Sequence, residues 1–176
     1  MSRSIAAASR HVYTFDLDDR TLPELSNVSF ITGNSGETLP PIIDEINASE
    51  DREINFILID GDHSEHGVKN DITNCLKYRP KKRSTIILMH DSSNPTVRKG
   101  IVDAPWADNP YVHGLDLDFV PGMLYDREDI KGQIWGGLAA AVILPEKRSG
   151  DFALLASFEP SRLVLLEKSI YATQHN

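Results

Sequence analysis

Asp60-Gly61-Asp62-His63 puts two carboxylates and an imidazole on one short turn. Carboxylate oxygens are donors for a hard divalent cation, and a histidine titrates close to neutrality, so it can take a proton from a hydroxyl. The glycine lets the backbone bend sharply or approach a ligand closely. Another acid, Asp91, follows His90 at the end of a separate apolar run. Asp60 with Asp91 could bind a cation through oxygens, and His63 or His90 could serve as a general base.

These residues sit at repeated places in the pattern of elements. Apolar runs of strand length alternate with amphipathic stretches. Residues His11–Asp16 and Val28–Thr32 read as short strands. Leu39–Asn47 reads as a helix with proline at its start, where a missing N–H costs nothing. Ile54–Asp60 is a nearly continuous apolar run, which fits a strand buried on both faces of a parallel sheet. Ser64–Tyr78 repeats Val68, Ile72, Cys75 and Leu76 at helical spacing, with Ser64 as its N-cap. Thr85–His90 is a further strand run. The order β-β-α-β-α-β predicts an α/β sheet with crossover helices, in which ligands bind beyond the carboxyl ends of the strands. Asp16, Asn34, Asp60, Asp62, His63, His90 and Asp91 all fall at those ends.

The last third differs. Leu115–Val120 alternates apolar and acidic residues and reads as a half-exposed strand. Gln133–Leu144 reads as a strand whose glycine pair, Gly136 and Gly137, marks a bulge or a close approach. Leu163–Lys168 fits a helix or a strand. Trp106 and Trp135 read as core or pocket lining, His90 as structural, and His66, His113 and His175 have no chemical context.

Composition narrows the class. The 176 residues suffice for one domain, with its core over 11–145, and the mix of 40% hydrophobic and 25% charged residues is that of a globular protein. A net charge of −8 argues against a nucleic-acid partner, which demands a basic surface. The basic stretch Arg79, Lys81, Lys82 and Arg83 reads as a solvated turn. The single cysteine, Cys75, forms no internal disulfide and reads as a small buried hydrophobe, consistent with the cytoplasm. No apolar run reaches the roughly 20 residues that span a bilayer, and no signal-peptide core is present.

The phrase ILIDGDHSEHGVKND, Ile57–Asp71, together with IILMHDSS, Ile86–Ser93, resembles class I S-adenosylmethionine-dependent methyltransferases. The likeness is to the cephalosporin-hydroxylase-like, methyltransferase-24-like and caffeoyl-CoA- or catechol-type O-methyltransferases, and it covers roughly Val12–Asp91. It implies a Rossmann-like sheet, mostly parallel, with an antiparallel C-terminal strand. It also implies S-adenosylmethionine as cofactor, with Mg2+ or another divalent cation, and a small hydroxylated metabolite or sugar as methyl acceptor. Asp16 would bind the ribose hydroxyls, and Gly33, Asn34 and Ser35 would lie near the adenine. Asp60 would line the cofactor site or ligate a metal, with Asp91 as the second ligand. His63 is the candidate base, with Asp62 beside it as a second candidate catalytic residue.

Members of that class begin with a strand and an acid-x-Gly-x-Gly-like turn, whereas the first glycine here is Gly33, past the second strand. Ser2–Arg10 matches the end of the helix that follows the usual turn. The expectation is therefore an N-terminally truncated or degenerate member, lacking the first strand and glycine-rich loop. That strand sits mid-sheet, so its loss would leave two strand edges to be closed directly or by a partner subunit. Two other readings are carried: a catalytically inactive remnant serving assembly or regulation, and a metal-dependent hydrolase using Asp60, Asp62, His63 and Asp91.

Overall fold

A computed structural model describes residues 10–18 and 25–172. Residues 2–9 of the segment matched above to a helix end, and His175, lie outside the described residues.

The strands are β1 Val12–Asp16, β2 Val28–Thr32, β3 Phe56–Ile59, β4 Thr85–His90, β5 Val112–Leu124, β6 Ile134–Ile143 and β7 Ala153–Leu155. The helices are α1 Ser35–Ala48, α2 Glu65–Cys75, α3 Pro95–Val102 and α4 Glu159–Glu167. The strands form two sheets. β1 and β2 pair in parallel, Asp16 opposite Thr32. The other five lie in the order β3-β4-β6-β5-β7, with β3 parallel to β4, β6 antiparallel to both β4 and β5, and β7 parallel to β5. The alternation of strands and helices therefore produces the expected α/β architecture, and the antiparallel strand is β6, inserted next to β4.

Local sequence explains where the elements start. Ser64 caps α2 as expected, its Oγ accepting from the Gly67 N–H at 3.0 Å. α1 begins earlier than the sequence suggests, because Asn34 is its N-cap and accepts from the Gly36 N–H at 2.8 Å. Pro40 and Pro41 consequently lie inside the helix rather than at its start. The short helix α3 has no periodic apolar signal long enough to announce it. It is set by Asn94, which accepts from the Thr96 N–H, and by Pro95 in the first turn. β5 runs further than Leu115–Val120 in both directions, across a register shift between Asp116 and Val120. Leu163–Lys168 belongs mostly to helix α4.

The core lies on one face of the five-stranded sheet. Ile87 and Met89 of β4, Ala139 and Ala141 of β6, and Leu115 of β5 meet Val68 and Ile72 of α2 and Val97 and Ile101 of α3. Cys75 and Trp106 are buried in the same cluster, as expected, and the indole N–H of Trp106 donates to the Ile101 carbonyl at 2.7 Å. Burial pushes the Cys75 thiol up to about 12. The opposite face is open. Phe56, Ile86 and Val142, cross-strand partners in one row, are 43%, 45% and 37% exposed. β3 is thus covered on one face only, where its continuous apolar run predicts two. The basic turn is partly anchored: Lys81 donates to the carbonyls of Ile46, Ser49 and Arg52, near the carboxyl end of α1.

Candidate active site

The carboxyl ends of β3 and β4 are neighbours, because Ile59 pairs with Met89. The residues that follow must therefore meet. Asp60, His63, His90 and Asp91 place one donor atom each within 4.8 Å of all the others. Nε2 of His63 is 3.0 Å from Oδ2 of Asp91 and 3.8 Å from Oδ1 of Asp60. Nδ1 of His90 is 3.2 Å from both of those carboxylate oxygens. This nitrogen is buried and makes a well-directed hydrogen bond to neither. Four such donor atoms this close together could hold a metal ion. Two imidazoles with two carboxylates suit a borderline transition ion better than an all-oxygen cation site does.

Asp91 is held unusually firmly. It is 7% exposed and its φ is +56°, a conformation that non-glycine residues rarely adopt. The hairpin of β5 and β6 supports it. The Gly136 N–H donates to Oδ1 of Asp91 at 2.6 Å, leaving Oδ2 for the histidines. Two residues on, the Ser93 N–H donates to the Gly136 carbonyl at 3.2 Å, and Oγ of Ser93 accepts from the Gly122 N–H at 2.8 Å. The Asn94 amide donates to the Ile134 carbonyl at 3.2 Å. Gly136 and Gly137 both have positive φ, +75° and +83°. A Cβ on Gly137 would lie 2.6 Å from Oγ of Ser93 and 3.0 Å from two backbone atoms. The close approach expected of this glycine pair is therefore found at Gly137, whereas a Cβ on Gly136 would meet nothing nearer than 3.9 Å.

The other sequence candidates fall in two places. Asp62 stands outside the four-residue cluster. Its carboxylate accepts from the backbone N–H and the hydroxyl of Ser64, at 2.8 and 2.9 Å, and these bonds hold it below the usual carboxylate range. Asp16 ends β1, and its carbonyl accepts from the Gly33 N–H at 2.8 Å, so Asp16 and the Gly33-Asn34-Ser35 turn share one rim. That rim meets a residue of α2 that sequence reasoning passed over, Asp71. Ser35 donates to Asp71 at 2.6 Å, and the other carboxylate oxygen of Asp71 would be 3.4 Å from a Cβ on Gly61. Burial, with the charge of Asp62 adding to it, pushes the Asp71 carboxyl up against the opposing pull of the Ser35 bond.

His90 was read as structural, and its role in the cluster depends on the side-chain direction at the last position of β4. The signal available in the sequence was its place at a strand end beside Asp91. Trp135 packs edge-on against His63, ring centroids 5.6 Å apart, so it lines the site. His66 is exposed, and His113 contacts the Glu146 carbonyl at 2.9 Å, away from the cluster.

Among known protein families, a model of the methyltransferase-24 family, described as a methyltransferase domain, matches residues 1–92. That is just over half of the chain and ends immediately after Asp91. No curated protein and no solved structure matches.

Proposed function

Since the chain belongs to this methyltransferase family, whose cofactor is S-adenosylmethionine, we propose that it supports metal-assisted O-methylation of a small hydroxylated molecule. The observation that carries the reading is the convergence of Asp60, His90 and Asp91 beside His63, all within the matched region. The buried Nδ1 of His90, 3.2 Å from two carboxylate oxygens but hydrogen-bonded to neither, supports a fit to a divalent cation. Asp60, His90 and Asp91 would hold that cation, which would lower the cost of an anionic oxygen nucleophile. His63 would take the hydroxyl proton, with Oδ2 of Asp91 orienting its ring. Asp16 would accept from the ribose hydroxyls, and the Gly33-Asn34-Ser35 turn would border the adenine. Much of the rate gain would come from holding donor and acceptor in line. The lone buried thiol of Cys75 fits a reducing compartment such as the cytoplasm. No helix of the described residues is long and apolar enough to cross a membrane.

Calorimetric titration with S-adenosylmethionine, with and without Mn2+, tests this. Saturable cofactor binding, followed by label transfer from the methyl group to a hydroxylated acceptor, is expected. Absence of binding at millimolar cofactor sinks it.

A second reading, a non-catalytic domain acting in assembly, is favoured by two observations. The strands split into two sheets, β1–β2 and the five-stranded one, and the row Phe56, Ile86 and Val142 is open to solvent. A second copy covering these edges would leave a stable dimer in sedimentation and no cofactor affinity.

A further inference from the structure

The four side chains of the cluster join in a ring. Contacts run from His63 to Asp91, Asp91 to His90, His90 to Asp60 and Asp60 back to His63, at 3.0, 3.2, 3.2 and 3.8 Å. Imidazole and carboxylate alternate around it. We propose that this ring gives the site a second, closed state, in which Zn2+ takes all four side chains, His63 included, and so removes both the open coordination position and the base. The proposal rests on the reading of the cluster as a cation site.

Spacing is the first reason. Donors at the corners of a tetrahedron, about 2.0–2.1 Å from a central Zn2+, stand about 3.3–3.4 Å apart. Neighbouring donors around an octahedral Mg2+ at similar bond lengths stand about 2.8–3.0 Å apart. Only the contact from His63 to Asp91 is as short as the octahedral value, and the set scatters about the tetrahedral one.

Donor type and charge are the second. Mg2+ and Ca2+ favour oxygen ligands, and Ca2+ takes about 6–8 of them. Here imidazoles supply half of the donors, and Asp91 has only Oδ2 to give, because its Oδ1 accepts from the Gly136 N–H at 2.6 Å. Imidazole suits Zn2+, which binds mixed nitrogen and oxygen sites more tightly than Mn2+ does. Two carboxylates and two neutral imidazoles also cancel the charge of a divalent ion, so the complex leaves no uncompensated charge at the half-buried site.

The place of His63 is the third. It lies on the turn between β3 and α2, with its side chain 43% exposed against 10% for Asp91. The edge of Trp135 holds its ring toward the cluster. His63 can therefore join or leave an ion without moving β3 or β4. A six-coordinate ion such as Mn2+ completes its shell with water and leaves His63 free as the base. Four protein ligands on Zn2+ leave no position for an acceptor oxygen, and a ligated Nε2 has no lone pair for the hydroxyl proton.

The test uses the full chain and the metals alone. Calorimetry in competition with a chelator compares Zn2+ and Mn2+ on the native chain and on His63→Ala, a change at a half-exposed side chain outside the core. Co2+ stands in for Zn2+ and reports geometry, since four-coordinate Co2+ absorbs visible light far more strongly than six-coordinate Co2+. Expected on the native chain are one Zn2+, bound more tightly than Mn2+, and strong Co2+ bands that azide does not alter. In His63→Ala the other three donors should keep Zn2+, but more weakly by at least the ~10-fold that loss of a mere supporting partner costs. Its Mn2+ affinity should be unchanged, and its Co2+ spectrum should respond to azide. Equal Zn2+ affinity in the two chains, weak six-coordinate Co2+ bands in the native chain, or Zn2+ bound no more tightly than Mn2+ overturns the closed state. Any of these with Mn2+ still bound leaves the proposed function standing. If neither ion binds, the cation reading falls together with the closed state. Failure of cofactor binding with the Zn2+ results intact removes the methyltransferase reading alone.

Discussion

Gly137→Ala should be among the most damaging single-atom-scale changes in the chain, although it adds one methyl group near the surface of a hairpin. At φ +83° an alanine carries a left-handed penalty of about 1–2 kcal/mol. The new Cβ would lie 2.6 Å from Oγ of Ser93 and 3.0 Å from the Gly122 nitrogen and the Val120 oxygen. Two of those three atoms are backbone within the β5–β6 ladder and cannot swing aside. Displacing Ser93 breaks its bond from Gly122, a further loss of about 1 kcal/mol, and overpacking adds roughly another 1–3. The total is about 3–6 kcal/mol, or a fall in Tm on the order of 10 °C for a chain of this size. Gly136→Ala is the internal control. It has nearly the same φ, +75°, but the nearest atom to its Cβ is 3.9 Å away. Only the conformational penalty of about 1–2 kcal/mol remains. Urea unfolding of the two variants measures the difference directly. Variants that agree within about 0.5 kcal/mol would refute the claim that crowding against Ser93 moulds the Asp91 turn.

Three further outcomes follow from the same geometry. His63→Ala should keep cation binding but lower methyl transfer about 10²–10⁴-fold, because a base is removed and the other three ligand candidates remain; loss of the cation in an ion titration would make His63 a ligand instead. For Asp71 the native pKa is raised, so the ionised carboxylate weakens the native state above that pKa and has no such effect below the unfolded value near about 3.9. Asp71→Asn, which keeps an acceptor for Ser35, should therefore raise Tm at neutral pH, with the gain fading as pH falls through the native pKa; a lower Tm at neutral pH would contradict this. Glu159 has the opposite sign. The Arg162 bonds, opposed by burial and aided by Arg98, hold it below its usual range, so its contribution is present above about 4.3 and is lost as pH falls through the depressed value. Hydrogen exchange should show α4 loosening first on acidification, and uniform loosening of all helices would count against it.

Much of this arrangement is legible in the residues because strand ends are. Asp60, His63, His90 and Asp91 each follow an apolar run, and parallel pairing of β3 with β4 brings such ends together with no further information needed. Helix α2 was readable from its apolar spacing and its Ser64 cap for the same local reason. What escaped depends on distant contacts. Asp62 belongs to the motif by sequence but is captured by Ser64. Asp71 gains meaning only when Ser35, 36 residues away, reaches it. Arg98 and Asp118 look like solvated charges until α3 and β5 bury them together. α1 was misplaced at its start because prolines usually open helices, whereas Asn34 set the cap first.

The central claim is that Asp60, His90 and Asp91 hold a cation beside His63. Titration of the full chain with Mn2+, followed by electron paramagnetic resonance of the free ion, measures it most directly. One ion bound per chain, with that binding abolished in Asp91→Asn while the fold persists by circular dichroism, is the predicted result. Stoichiometric binding that survives Asp91→Asn, or no binding to the native chain, would contradict it.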